Sequence, residues 1–324
     1  MLAYLLESFG GPEVLHLRER PDPQPKPGWV HIEIKAFGLN RSELYTRQGH
    51  SGDAVTLPRI PGIECVGVVL DGGGTDLKPG QKVAAAMGHM GRLHDGGYAH
   101  QTLIPRSNVF PVETSLSWNK FGAIPETYLT AWGVLMDAIE LKPQSRVLIR
   151  GGSSSVGMAC ISIAKEHQCE VLATTRSLEK KLLVEQAGAD HVLIDHGDIE
   201  TQVKSRHPKG VDAIVELVGK PETIQESLRL AAPKGCVGMV GFLGNEWNYE
   251  FFPWMPSTVK LTMYNSETLE TQSATPILQE IVRKVEQGIY RPHIYQTFSF
   301  DHLQEAHQMM EESRAVGKMV VTTS

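Results

Sequence analysis

Apolar and polar positions alternate through the first third of the chain. In "GWVHIEIKAFGLN", Val30, Ile32 and Ile34 alternate with His31, Glu33 and Lys35. That is the period of a half-buried strand. "GIECVGVVLDGGG" reads as a strand ending in a glycine turn, "LKPGQKVAAAM" as a Pro-Gly turn and a strand, and "GGYAHQTLIP" as one more. Strands joined by short turns predict a compact β-barrel-like unit. The pattern changes near residue 122. Short apolar runs at 146–150, 170–175, 191–194, 212–217 and 236–242 alternate with helical stretches such as "LEKKLLVEQAG" and "PETIQESLRLA". This alternation predicts a parallel, doubly wound sheet with helices on both faces. "STVKLTMY" (257–264) predicts a further, edge strand. The tail returns to helices and closes on a strand, "GKMVVTT". The pattern predicts an α/β fold class, a β-barrel unit to about residue 121 followed by a doubly wound one over 122–264.

Composition narrows the function classes. The 324 residues suit two domains. With 41% hydrophobic and 21% charged residues the chain is globular rather than disordered. A net charge of −6 argues against a generic nucleic-acid binder. No apolar run reaches the ~18 residues of a membrane span, and "MLAYLLESFGGPEVL" lacks the basic start of a signal peptide. Cys65, Cys160, Cys169 and Cys236 form no CxxC motif, so a reducing, cytoplasmic setting is expected.

The chemistry concentrates at "LIRGGSSSVGMACISIA" (148–164), a buried strand, a Gly/Ser loop and a helix opening. Gly152, Ser153, Ser154, Ser155, Val156 and Gly157 depart from G-x-G-x-x-G because Ser154 replaces the middle glycine. The strand before and the helix after restore the case, since helix N-terminal amides would face a pyrophosphate. Gly157 would allow close helix–sheet contact, and serine hydroxyls could donate to phosphate. The second strand ends in "ATTRSLEKK", with no acid to grip a ribose 2′-OH. Thr175, Arg176, Ser177 and Lys180 instead suit a 2′-phosphate, so NADP(H) is the expected cofactor. The bland alternative makes Arg176 and Lys180 solvated cations at a helix start.

The order of "GGPEVL", "PGIECVGVV", "LKPGQKV", "GGYAH", the nucleotide loop, "GVDAIVELVG" and "GKMVV" resembles the medium-chain dehydrogenase/reductase superfamily over nearly the whole chain. The resemblance implies a GroES-like catalytic domain of residues 1–121 and 265–324 and a Rossmann NADP(H)-binding domain of residues 122–264. At the places where zinc alcohol dehydrogenases carry their ligands, the sequence reads "GLNRSE", "PGIECVG" and "PETYLTAWG". Asn40 stands near the first ligand, Ile63 replaces the histidine, and Glu64 is left without an obvious partner. No metal is expected. His89, His94 and His100 match no standard site and are read as solvated loop histidines.

"AFGLNRSELYTRQG" and "YLTAW" are similar to segments of the zinc-independent quinone oxidoreductase branch, the zeta-crystallin type. That resemblance implies an NADPH-dependent reductase of quinones or activated enones. Alternatives are an enoyl-thioester or alkenal reductase, or a nucleotide-bound structural or RNA-binding protein. Tyr45 and Asn40 are the candidate catalytic residues, able to donate hydrogen bonds to an acceptor oxygen. Equally, Tyr45 could pack a helix and Asn40 cap it. Glu43 and Arg47 read as an i,i+4 ion pair. Val218, Gly219, Phe242, Leu243 and Gly244 at strand ends, with Thr130, are candidate cofactor contacts. Lys318 is either a phosphate contact, which the resemblance suggests, or a surface lysine. Asp195 stands where some members of the branch place a tyrosine. The aromatic cluster Trp247, Tyr249, Phe251, Phe252 and Trp254 suggests a pocket wall or a subunit interface, and the resemblance implies a homodimer or homotetramer built on the edge strand near 257–264.

Overall fold

The computed structural model describes residues 1–242, 255–268 and 271–323. Contacts divide the chain into two compact units, one of residues 1–129, 266–287 and 294–324, the other of 130–265 and 288–293.

The strands and helices of the first unit begin with β1 (Leu2–Leu6), β2 (Leu15–Glu19), β3 (Trp29–Gly38), α1 (Arg41–Arg47), β4 (Glu64–Asp71) and β5 (Lys82–Ala86). They continue with β6 (Gln101–Pro105), β7 (Val109–Pro111), α2 (Trp118–Gly122) and α3 (Pro125–Trp132), whose last residues cross into the second unit. β1 and β2 form an antiparallel pair. β3 alternates as its sequence dictates: Val30, Ile32 and Ile34 are buried, while His31, Glu33 and Lys35 are half-buried. Pairing on both of its edges, with β4 on one side and β6 on the other, makes β3 the spine of the main sheet.

The second unit carries β8 (Arg146–Arg150), α4 (Ser155–Glu166), β9 (Glu170–Thr175), α5 (Lys181–Gln186), β10 (His191–Ile194), α6 (Ile199–Arg206), β11 (Val211–Glu216), α7 (Pro221–Leu230), β12 (Ala231–Met239) and β13 (Lys260–Met263). All six strands run parallel, in the order β10-β9-β8-β11-β12-β13. Val147, Leu148 and Ile149 of β8 are fully buried, as continuous apolar runs in a sheet covered on both faces should be. β12 begins at Ala231, directly after α7, five residues earlier than its apolar run suggests. β13 is the expected outer strand.

The chain then returns to the first unit with α8 (Thr271–Glu286), β14 (Ile294–Ser299), α9 (Leu303–Glu311) and β15 (Lys318–Thr322). β15 pairs with β3, and β14 lies parallel to β15. The sequence pattern did not reveal β14. Among the described residues no helix is long and apolar enough to cross a membrane.

Candidate functional site

The Gly/Ser loop leaves β8 through Gly151, whose φ of +84° only glycine adopts without strain. A Cβ on Gly152 would come within 2.8 Å of the Ala173 Cβ, and one on Gly157 within 2.5 Å of the Gly151 carbonyl oxygen. The two glycines therefore let the turn lie flat on β9 and let α4 start against it. Ser154 caps α4: its hydroxyl accepts from the Gly157 amide at 3.0 Å and donates to the Gly151 carbonyl at 2.8 Å. That hydroxyl is engaged inside the loop, whereas Ser155 and Val156 begin α4 and, like Ser153, are half-buried. The cradle has the wall chemistry of a pyrophosphate site, with small residues and helix amides at a positive dipole end.

The end of β9 stands beside this loop, because Gly152 N–H donates to the Thr174 carbonyl at 2.9 Å and Gly151 N–H to the Thr174 hydroxyl at 3.0 Å. Thr175 is buried and its hydroxyl accepts from Ser177 N–H. Arg176 is exposed and Lys180 half-buried. Burial, and then the like charge of Arg176, hold the Lys180 ammonium below its ordinary pKa. These are two cations near enough to disfavour each other.

Val218 and Gly219 follow β11, and both amides donate to the Glu216 carboxylate, at 2.8 and 3.0 Å. Glu216 is fully buried and also accepts from Ser227. Gly219 has φ +67°, and a Cβ there would meet the Gly241 carbonyl at 1.8 Å, so the ends of β11 and β12 touch backbone to backbone. Phe242 is exposed. Leu243, Gly244 and the aromatic cluster lie outside the described residues. Thr130 is buried in α3. Arg150, at the end of β8 and 1% exposed, reaches Glu226 at 2.7 Å and Asp195 at 3.1 Å. Sequence reasoning missed Glu216 and Arg150, whose only signal was a charge interrupting an apolar strand.

In the first unit Asn40 caps α1. Its amide N–H donates to Glu43 at 2.8 Å. Its side-chain oxygen accepts from the Lys318 ammonium at 2.6 Å, and its side-chain nitrogen donates to Glu64 at 2.9 Å. Lys318 also meets Glu64 at 2.7 Å, and the other Glu64 oxygen accepts from the Glu126 amide at 3.0 Å. Lys318 is 2% exposed, which rules out the surface-lysine reading, and Glu64 has a full set of partners.

Glu43 and Arg47 do not form the expected ion pair. Glu43 turns inward to the Ile63 amide and the Tyr98 hydroxyl, and burial holds its carboxyl above the ordinary carboxylate pKa. Arg47 is fully buried and reaches Glu311 at 2.8 Å, the Gly10 carbonyl at 3.1 Å and His307 Nδ1 at 3.4 Å. The reason is tertiary: α9 packs on α1 and presents Glu311 and His307 to it. Tyr98 and His307, joined at 2.9 Å, are further polar residues that spacing did not reveal.

Tyr45 is half-buried on α1 and its ring lies 6.3 Å from that of His50. Burial holds its phenol above the ordinary pKa, with Arg41 acting against the shift. His89 is exposed, as expected of a solvated loop histidine, but the other two are not simply solvated. His94 meets the Gly88 carbonyl at 3.0 Å, and the His100 ring packs 4.7 Å from that of Phe300.

Two family models match. One described as an alcohol dehydrogenase GroES-like domain covers residues 26–114, and one described as a zinc-binding dehydrogenase covers 187–321. The chain is 30% identical over 330 residues to quinone oxidoreductase of Rattus norvegicus, spanning 99% of this chain and 97% of that protein. A solved NAD-dependent alcohol dehydrogenase is 27% identical, with a TM-score of 0.88 and 100% of both chains covered. Quinone oxidoreductase of Escherichia coli, solved with NADPH, shares the fold at a TM-score of 0.90 and 21% identity, with 100% of each chain covered.

The zinc named by one family model does not fit the residues present. Zinc needs three or four converging N, S or O ligands. Ile63 is apolar and buried, and the Glu64 carboxylate is already neutralised by an ammonium. Among the described residues no three His, Cys, Asp or Glu side chains converge as metal ligands.

Proposed function

This chain belongs to the zinc-independent quinone oxidoreductase branch of the medium-chain dehydrogenase/reductase superfamily, and from that premise we propose that it reduces quinones or activated enones with NADPH. The observation that carries the reading is the glycine-walled loop with Arg176 and Lys180 just beyond the neighbouring strand. Two mutually repelling cations gain most from a dianion, which NADPH carries on its ribose and NADH lacks.

When bound, the nicotinamide supplies a hydride from its C4 carbon. The protein's own residues do the rest. Amides of Ser153, Ser155 and Val156 receive the pyrophosphate, while Gly152, Ser154 and Gly157 form the turn that aims them, the Gly152 and Gly157 amides being spent on the Thr174 carbonyl and the Ser154 hydroxyl. Thr175, Arg176, Ser177 and Lys180 take the 2′-phosphate. Thr130, Val218, Gly219 and Phe242 flank the nicotinamide portion, and the buried Glu216 fixes the amides of Val218 and Gly219. Lys318 is left out of this set because its ammonium serves Asn40 and Glu64. A conjugated acceptor spreads the incoming charge over several atoms, so neutral donors suffice to polarise it. Asn40 and Tyr45 are those donors. The Tyr45 phenol holds its proton at neutral pH as any tyrosine does and can donate it in a hydrogen bond to the acceptor oxygen, and burial, by raising its pKa, favours that polarising role over full proton release.

Four buried free thiols suit a reducing compartment, the cytoplasm. The outer strand β13 offers an edge for a homodimer, and a solution mass equal to one chain would refute that assembly.

The assay mixes chelator-treated protein with NADPH or NADH and a naphthoquinone and follows nicotinamide absorbance. Fast loss with NADPH, slow loss with NADH and no response to chelator are expected. Tight NADPH binding with no oxidation by any quinone or enone would overturn the reading.

A further inference from the structure

Asn40, Glu64 and Lys318 bond to one another in a closed ring. The ammonium donates to the Asn40 oxygen at 2.6 Å and to Glu64 at 2.7 Å, and the Asn40 nitrogen donates to the same Glu64 oxygen at 2.9 Å. Glu64 is fully buried and Lys318 is 2% exposed, while Asn40 remains half-exposed. The fold makes room for this arrangement. Gly38, at the end of β3, lies where a Cβ would come within 2.2 Å of the Lys318 Cε and 2.5 Å of the Glu64 carboxylate. A lysine chain can thus pass from the start of β15 to the start of β4 only because residue 38 has no side chain.

The ring dictates which way the carboxamide faces. A flipped amide would set its NH2 against the ammonium and its oxygen against the carboxylate. The oxygen is therefore held on the cation, and the nitrogen, beyond its bond to Glu64, meets the Gly38 carbonyl and a Glu43 oxygen at 3.5 Å, contacts long enough for a closer acceptor oxygen to replace. An amide whose oxygen accepts from a cation is also a stronger donor at its nitrogen, because linked hydrogen bonds polarise one another.

We infer that Lys318 is a positioning residue for the reduction, holding and polarising the Asn40 carboxamide so that it donates to the acceptor oxygen. The inference rests on the proposed reductase reading. It assigns the buried ammonium a task in the reaction without contact with the acceptor, since its charge acts through the Asn40 amide. A purely structural pair would anchor β15 to β4 and leave turnover alone.

Two variants test it. Lys318→Met with Glu64→Gln removes both charges together, so neither is stranded in the interior. Gly38→Ala keeps both charges and displaces the lysine chain. With NADPH and a naphthoquinone, each folded variant should lose about tenfold or more in kcat while NADPH affinity stays within about twofold. Unchanged kcat in a folded variant overturns the inference. So does a loss confined to NADPH affinity, which would return Lys318 to the cofactor. Side-chain NMR with asparagine-selective labelling, assigned by Asn40→Asp, gives a readout free of turnover. The Asn40 amide hydrogens should exchange slowly in the native chain and faster, by about tenfold or more, in both variants. If the native chain reduces no quinone or enone, the reductase reading fails. The NMR comparison still decides whether Lys318 holds Asn40, with unaltered exchange counting against it.

Discussion

At the scale of single residues, the choice between the two dinucleotides turns on Arg176 and Lys180. Thr175 ends β9 where an acid would repel a phosphate, and Lys180 is depressed by burial and by its cationic neighbour. A charge-assisted hydrogen bond is worth about 1.5–3 kcal/mol, a factor of roughly 10 to 100 in affinity. Arg176→Ala should weaken NADPH by that factor and NADH by less than about twofold. Calorimetric titration with both dinucleotides checks this, and equal losses would remove Arg176 from the phosphate site. The residue types here were legible because phosphate recognition needs cations close to one strand end. Lys318 was not, because its partners Asn40 and Glu64 lie 278 and 254 positions away.

At the scale of elements, α4 shows what the sequence could and could not supply. The apolar strand, the glycines and the helix were legible from period and spacing alone. The job of Ser154 was not: a hydroxyl in a Gly/Ser loop can face a ligand or turn back onto the helix, and here it turns back. Replacing an N-cap serine with alanine costs about 0.5–2 kcal/mol. Ser154→Ala should lower the urea midpoint of the second unit accordingly, read by circular dichroism, and an unchanged midpoint would mean another group caps α4. Strand legibility followed burial. β3 and β8 alternate or run apolar because one or both faces are covered. β14 was missed because only Phe298 of its six residues is buried. The early start of β12 was hidden by Pro233 and Lys234, which read as a turn.

At the scale of the whole molecule, the least legible feature is the polar chain that joins distant parts of the first unit. Arg47 and Glu311 stand 264 positions apart, and no spacing rule connects them. Arg47 donates to His307 Nδ1, which leaves Nε2 to carry the ring proton and donate to Tyr98; Tyr98 in turn donates to Glu43. The imidazole is therefore held neutral. Burial, and then the charge of Arg47, push its pKa down from 6.5 to about 3. In the unfolded chain the histidine binds a proton as the pH falls through about 6.5, while in the folded chain it resists until about 3. The unfolded state binds more protons in that window, so stability is full above it and declines as the pH falls, by about 1.4 kcal/mol per pH unit for this one group. Glu43 acts in the opposite sense, since its raised pKa favours the folded state on protonation. His307→Gln, with no titrating ring, isolates the histidine because Glu43 is common to both proteins. Urea unfolding from neutral pH to about pH 5 should show the native chain losing stability relative to the variant with the slope given. Parallel curves would mean that His307 titrates alike in both states, and that the Arg47–His307–Tyr98 chain does not fix the ring as a neutral donor.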